Sequence, residues 1–100
     1  DKYLFLGFLP KTGGKRKTML ENTKKMYELQ KFSVVIYESA NRLEKLLPDI
    51  LDVFGEQSKV CLAVDLTKVS EKIIRGDILG VIEKAKELKG KGEVTLVLSF

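Results

Sequence analysis

The chain has 100 residues, of which 44% are hydrophobic and 32% charged, with a formal net charge of +4. This balance is typical of one globular domain and argues against a disordered chain. A domain of this size buries roughly 60–70% of its unfolded surface, which gives one core but little room for a deep cleft. We therefore expect a demanding reaction to need a partner domain.

The first residues carry no start methionine and no signal or transit peptide, since a strand-like run begins at Tyr3. We expect the chain to be a piece of a longer protein. No apolar run approaches the roughly 20 residues needed to span a bilayer. The single cysteine, Cys61, excludes an internal disulfide and favours a reducing compartment, which predicts the cytoplasm.

Strands are predicted where aromatic and β-branched residues run together between turn signals. Four such runs and a shorter fifth occur, and they are Tyr3–Leu9, Phe32–Tyr37, Val60–Leu66, Lys72–Arg75 and Val94–Phe100.

Helices are predicted in three of the intervals between these strands. The first runs from about Lys15 to Leu29, and the third runs from Asp77, as N-cap, to Leu88. The inward residues predicted for the first helix are Met19, Leu20, Thr23, Met26 and Tyr27. Those of the third are Ile78, Val81, Ile82, Ala85 and Leu88.

The second helix has the clearest apolar stripe, which spans residues 43–54 with spacings of three and four. Asn41 with Glu44 predicts a capping box, and Gly55 predicts the end of the helix. Pro48 predicts a kink or a break inside it. The element order β-α-β-α-β-β-α-β then predicts one α/β domain over residues 1–100, with a mixed, roughly five-stranded sheet flanked by helices.

The chain contains no histidine, which excludes Ser-His-Asp and Cys-His catalysis and the usual zinc sites with histidine. Asp49 and Asp52 are spaced i, i+3, a pattern more typical of a solvated helix face than of a metal site. We predict no metal site.

A glycine-rich basic loop follows the first predicted strand. It does not match a phosphate-binding loop of nucleoside triphosphatases, because six residues separate Gly7 from Gly14 and Arg16 stands where Ser or Thr is required. The glycines predict an unpacked loop whose Lys11, Lys15 and Arg16 charges are solvated and available to phosphates. The alternative is an ordinary solvated helix start.

Several short segments resemble, in order and spacing, the second lobe of the ribosomal RNA small-subunit cytidine 2′-O-methyltransferases of the tetrapyrrole methylase superfamily. They are Phe8-Leu9-Pro10-Lys11, Gly14-Lys15-Arg16, Tyr37-Glu38-Ser39, Asn41-Arg42-Leu43, Leu66-Thr67-Lys68 and Lys91-Gly92-Glu93. The resemblance spans nearly the whole chain, and its specificity lies in the combination of segments.

The resemblance implies the carboxyl-terminal lobe of a two-lobed homodimer that holds S-adenosylmethionine between its lobes, with the amino-terminal lobe absent from this chain. It further implies two groups of contact residues. The cofactor contacts would be Tyr37, Glu38, Ser39, Leu66 and Thr67. The ribosomal RNA contacts would be Lys11, Lys15, Arg16, Arg42 and Lys68.

The residues themselves permit this assignment, because Tyr37–Ser39 and Leu66–Thr67 follow strands at the end where α/β sheets bind ligands. Tyr37 can equally be a core residue, with residues 38–41 serving as a helix cap. Glu38 and Asp65 are weak candidates for the base that deprotonates a ribose hydroxyl. Val64-Asp65 replaces the Arg-Glu pair usual in the family, which leaves the local role open.

Two alternatives remain at this point. The chain can be a non-catalytic RNA-binding module, or a lobe of a tetrapyrrole-biosynthesis methylase. The basic loop favours RNA over a porphyrin-like substrate.

Overall fold

The five predicted strands are all present in the computed structural model, which describes residues 2–67 and 70–100, apart from the side chains of residues 66, 67 and 70. The short run predicted at Lys72–Arg75 is the fourth strand in chain order, and it is longer than predicted. The strands are β1 Tyr3–Phe8, β2 Ser33–Ser39, β3 Lys59–Thr67, β4 Ser70–Asp77 and β5 Glu93–Ser99.

The three helices are α1 Gly13–Leu29, α2 Leu43–Phe54 and α3 Ile78–Ala85. Short 3-10 turns, Ala40–Arg42 and Lys86–Leu88, precede α2 and follow α3. The predicted element order and the α/β class are confirmed.

The strands form one mixed sheet in the order β1-β2-β5-β3-β4. β1 and β2 pair in parallel, whereas the β2–β5, β5–β3 and β3–β4 pairs are antiparallel. The last strand in the chain, β5, is therefore the central strand of the sheet.

The core lies between the sheet and the helices, which pack on one of its faces. Alternate residues of each strand supply this covered face, as in β2, where Val34 and Ile36 are buried while Val35 is only half-buried. Leu20 of α1, Leu46 and Ile50 of α2, and Ile78 and Val81 of α3 lie against them without solvent exposure. Burial of these aliphatic side chains is the main stabilising term of the fold.

The start of α2 differs from the prediction. Asn41 lies in the 3-10 turn, and α2 is preceded by Arg42 without a side-chain cap, so the predicted capping box is wrong. Gly55 does end the helix, with a φ of 90° that favours glycine. The helix runs through Pro48 without a break, because both Pro48 and Glu44, whose carbonyl loses its bonding partner, are exposed to water.

Two further helix details qualify the predictions. Asp77 is the N-cap residue of α3 as predicted, although its carboxylate pairs with Lys59 and does not cap the helix. Met26 is 44% exposed, so its predicted inward position is wrong. Tyr27 fills the inward position near this end of α1, with its ring 3.9 Å from that of Phe100.

The opposite face of the sheet is covered by none of the described helices. The strand register gives it two rows of side chains, which are apolar except for Thr95 in one and Arg75 in the other. One is Phe8, Tyr37, Thr95, Ala63 and Ile73, and the other is Phe5, Val35, Val97, Cys61 and Arg75. We call this the uncovered face. Cys61 is half-buried there and not in the core.

Candidate active site

Three aromatic rings cluster on the uncovered face where β1 and β2 end. The Tyr37 ring makes edge-to-face contacts with Phe5, at 5.1 Å between centroids, and with Phe8, at 5.6 Å. All three remain exposed, Phe8 by 63% and Tyr37 by 38%. Exposed aromatic clusters of this kind mark binding surfaces.

Three carboxylates lie next to these rings. Asp65 of β3 pairs in register with Glu71 of β4 on one side and with Glu93 of β5 on the other. Like charges on directly opposed residues are unfavourable in a sheet, so this arrangement costs stability and favours a cationic group beside it.

The aromatic rings and the carboxylates line a common pocket of about 320 Å³. Its lining residues are Phe8, Tyr37, Ala63, Asp65, Glu71, Glu93, Val94 and Thr95. Tyr37 and Asp65, which the sequence analysis placed in the cofactor and catalytic sets, are thus brought together. A ligand that combines a flat ring with a separate cationic group matches a pocket with one aromatic wall and one acidic wall.

Glu38 points away from this pocket. It is 4% exposed on the covered face, where its Oε1 accepts hydrogen bonds from Arg42 Nε at 2.6 Å and from the Ser39 amide at 2.8 Å. Arg42, an expected RNA contact, therefore forms an ion pair with a buried carboxylate. The Ser39 hydroxyl donates to Asn41 Oδ1 at 2.5 Å.

The remaining predicted cofactor residues, Leu66 and Thr67, belong to β3, but their side chains lie outside the described part of the structure. Lys68, an expected RNA contact, also lies outside the described residues. The structure therefore places no side chain of this segment.

The basic loop is less solvated than the sequence predicts. Lys11 and Lys15 are exposed, as expected, but Arg16 is only 6% exposed. Its Nε donates to Asp49 Oδ2 at 2.8 Å and its Nη1 donates to the Lys11 carbonyl at 3.1 Å. The prediction of a free Arg16 charge is wrong because Gly13 and Gly14 begin α1, and the first turn of that helix packs on α2.

A second ion pair joins α1 to α2 one residue further on. Lys17 pairs with Asp52 at the surface. The hydrogen bond to Asp52, followed by the Coulombic attraction of the same carboxylate, raises the pKa of Lys17 above its ordinary value of 10.5. Both pairs join a cation of α1 to a carboxylate of α2. They differ in burial, because neither Lys17 nor Asp52 is buried whereas Arg16 is.

Sequence reasoning missed several residues of the pocket. Glu93 and Thr95 alternate along β5 and Glu71 lies in β4, so their common face was readable from period-two alternation. Their convergence depends on the strand order, which the sequence does not reveal. Phe8 entered the sequence analysis only as part of a family segment. An aromatic residue at the end of a predicted strand is itself an indication of a binding site.

Within the described residues, no three His, Cys, Asp or Glu side chains have the spacing to hold a metal ion. In the same part of the chain, none of the helices has the length and apolar character to cross a bilayer. A second cavity, of about 540 Å³, lies between α2 and α3 and contains none of the predicted site residues.

Proteins of one name align with nearly the whole chain. The chain is 36% identical over 99 residues to ribosomal RNA small subunit methyltransferase I of Thermotoga maritima and 34% identical over 98 residues to the protein of that name from Halalkalibacterium halodurans. The chain is a homologue of part of ribosomal RNA small subunit methyltransferase I. It spans 42% and 32% of these two relatives, and 34% of the one from Escherichia coli O157:H7.

The predicted resemblance is thereby confirmed at the level of this methyltransferase. The chain matches no family profile. Every one of these three relatives covers at least 98% of the chain, so the homology includes both the basic loop and the pocket.

Solved structures confirm the fold. Cobalt precorrin-4 methyltransferase superposes over 96% of the chain with a TM-score of 0.66 at 12% identity. The methyltransferase CobJ superposes over 99% with a TM-score of 0.61 at 10% identity. The chain corresponds to about two fifths of each, and at this identity the likeness concerns the fold alone.

Proposed function

We propose that this chain is the carboxyl-terminal lobe of an S-adenosylmethionine-dependent methyltransferase that modifies the ribose 2′-hydroxyl of a cytidine in small-subunit ribosomal RNA. The observation that carries the proposal is the homology of 97–99% of the chain to proteins named ribosomal RNA small subunit methyltransferase I. These names support a methyltransferase that acts on small-subunit ribosomal RNA. The modified atom, the 2′-hydroxyl of a cytidine, is proposed from the family resemblance.

The uncovered face supports the placement of the chain within a larger assembly. Its relatives carry more than half of their length beyond the matched part. Contiguous exposed aromatic patches are typical of surfaces on which another domain, a second subunit or a ligand packs. We propose that a preceding lobe of the same protein, and a second copy in a homodimer, complete the structure, in the cytoplasm where ribosomal RNA is made.

The pocket fits the proposed cofactor. S-adenosylmethionine, when bound, supplies an electrophilic methyl group on a sulfonium. Phe8 and Tyr37 offer faces for its adenine, and Asp65, Glu71 and Glu93 offer negative charge to its sulfonium and ammonium groups. Ser39, Leu66 and Thr67 remain proposed contacts at the same end of the sheet.

Of the two candidate bases, Asp65 is the better placed. The Glu38 carboxylate is buried and already accepts hydrogen bonds from Arg42 and the Ser39 amide, so we assign it to orienting the turn after β2. Asp65 is exposed in the pocket, where its carboxylate would accept the 2′-hydroxyl proton, while bound S-adenosylmethionine would supply the methyl group. Alignment supplies most of the remaining acceleration.

The RNA contacts of the proposal are Lys11 and Lys15, with Arg42 and Lys68. The first two are exposed cations beside the start of α1. Each phosphate contact should contribute about −0.7 to −0.9 to the log–log salt dependence of RNA affinity. Lys15→Ala should therefore flatten that slope by about 0.7–0.9, whereas Lys84→Ala on the exposed side of α3 should not. Equal effects of the two variants would show that only net charge matters.

A chimera tests the catalytic part of the proposal. This chain replaces the matching portion of the Thermotoga maritima relative, and the chimera is given methyl-labelled S-adenosylmethionine and unmethylated small-subunit RNA. We expect label in 2′-O-methylcytidine after digestion to nucleosides, and no transfer by the isolated chain. Label in a methylated base would refute the ribose assignment.

The chimera also separates the two alternatives. RNA binding without transfer, with the parent relative active, would favour the non-catalytic RNA-binding module. Absence of RNA binding together with methylation of a tetrapyrrole would favour a tetrapyrrole-biosynthesis lobe, for which the solved structures supply a shared fold only.

A further inference from the structure

Arg16 makes two side-chain hydrogen bonds that hold different segments together. Its Nε donates to Asp49 of α2, and its Nη1 donates to the backbone carbonyl of Lys11 in the loop before α1. A Cβ placed on Gly13 would lie 3.6 Å from the guanidinium, so the helix start packs directly over it. The guanidinium is thus enclosed between the loop, the first turn of α1 and α2.

The loop itself has few other restraints on the Lys11 backbone. Leu9 is buried, which fixes the loop where it leaves β1, and the Thr12 carbonyl accepts the first hydrogen bond of α1. Among the described contacts, the Lys11 backbone is bonded by Arg16 alone. The exposed Lys11 side chain consequently extends from a backbone whose position depends on one buried guanidinium.

The charge of Arg16 is not available to a phosphate, because Asp49 neutralises it and the side chain is buried. Its planar fork can nevertheless bond a carboxylate and a carbonyl at the same time, which a lysine amine cannot do with the same geometry. Arg16 therefore differs in role from the exposed cations on either side of it.

We infer that Arg16, held by Asp49, is a positioning residue that fixes the backbone of Lys11 and so presents the Lys11 ammonium to an RNA phosphate. The inference rests on the proposed function in one respect, namely that the loop contacts RNA. It assigns to Arg16 a role through Lys11 in place of the direct phosphate contact expected from the sequence.

The chain offers a matched pair of variants. Asp49→Asn and Asp52→Asn each remove one carboxylate from α2, each break one ion pair with α1, and each raise the net charge by one. Simple electrostatics predicts slightly tighter RNA binding for both. Positioning predicts the opposite sign for Asp49→Asn, with the salt slope reduced by about 0.7 through loss of the Lys11 contact.

Arg16→Lys guards against failure of Asp49→Asn to fold, since it preserves net charge and a buried cation while losing the fork. We expect the same loss of about 0.7 in slope. Adding Lys11→Ala to Arg16→Lys should change the slope no further, whereas Lys11→Ala alone should reduce it. A merely structural role of Arg16 would lower the melting temperature without this dependence on Lys11.

A measurement without RNA separates the inference from the proposed function. The NMR order parameters of the Lys11 and Thr12 amides should fall in Arg16→Lys and Asp49→Asn and stay unchanged in Asp52→Asn. Unchanged values in the first two variants would overturn the inference whatever their RNA affinity. If the chimera that carries the unsubstituted chain does not bind RNA, the proposed function is overturned instead, and the role of Lys11 with it.

Discussion

The two faces of the sheet are made by the same strands and have opposite chemistry. On β5, Val94, Leu96 and Leu98 are buried against the helices, whereas Thr95 and Val97 lie between them on the uncovered face. The covered face is almost wholly aliphatic, and the uncovered face combines aromatic rings with three adjacent carboxylates. One strand sequence therefore specifies stability at its even positions and a binding surface at its odd positions, so substitutions one residue apart should have different consequences.

The largest difference is expected in the centre of the sheet. Leu96→Ala should lower the free energy of unfolding by about 2–5 kcal/mol, because Leu96 is fully buried and a cavity would remain. Val97→Ala, its neighbour on the uncovered face, should cost less than about 1 kcal/mol. Urea denaturation measures both. Equal losses would show that the uncovered face is packed in the isolated chain.

The carboxylates provide a second contrast. Glu38→Gln weakens the buried bond to Arg42 and should cost about 1–3 kcal/mol. Asp65→Asn should leave stability within about 0.5 kcal/mol, since it removes one of three neighbouring negative charges. In the chimera, however, Asp65→Asn should abolish most methyl transfer. If Glu38→Gln abolished transfer at unchanged stability, the assignment of the two carboxylates would be reversed.

Tyr37 tests whether the aromatic cluster binds a ligand or supports the fold. Tyr37→Ala should cost about 1–3 kcal/mol, through the loss of two edge-to-face contacts. It should weaken binding of S-adenosylmethionine to the chimera, measured by calorimetry, whereas Tyr3→Ala at the far end of the same face should not. A collapse of the melting temperature with unchanged affinity of the folded fraction would identify Tyr37 as a structural residue.

The smallest effect is expected at the surface pair. The raised pKa of Lys17 means that its bond to Asp52 stabilises the folded state below the ordinary lysine pKa of 10.5 and ceases to do so as the pH rises through the raised value. The small stability difference between the parent and Lys17→Met should therefore disappear at strongly alkaline pH. Thermal unfolding from pH 7 to a pH above the raised pKa measures it, and a difference that grew with pH would contradict the assignment.

Most of the secondary structure was predictable, because alternation in the strands and the apolar stripes of the helices are local signals. Residues 43–54 show this best, since their stripe alone specifies α2. The errors occurred where contacts between distant segments overrode the local preference of the sequence. Gly13 and Gly14 suggested a loop, yet they form the first turn of α1, which Arg16 joins to Asp49 of α2. Even in a helix interior, a glycine costs only about 1 kcal/mol relative to alanine.

The site was less predictable than the fold. Tyr37 and Asp65 were selected through family segments, and nothing local in either residue indicates that they share a pocket. Their proximity depends on β5 lying between β2 and β3, which places Glu93 and Thr95 between them. Strand order is set by the energy of the whole sheet and has no counterpart in the pattern of a single strand.

The central position of β5 has a consequence for how the chain acquires its structure. β5 alone joins the pair β1–β2 to the pair β3–β4, since the two pairs share no hydrogen bonds with each other. Joining them requires pairing across long stretches of sequence, which is slow relative to local hairpin formation. During synthesis, the apolar surface of both strand pairs therefore stays exposed until residues 93–99 have left the ribosome. We expect the chain to depend on chaperones at that stage, because exposed apolar surface promotes aggregation.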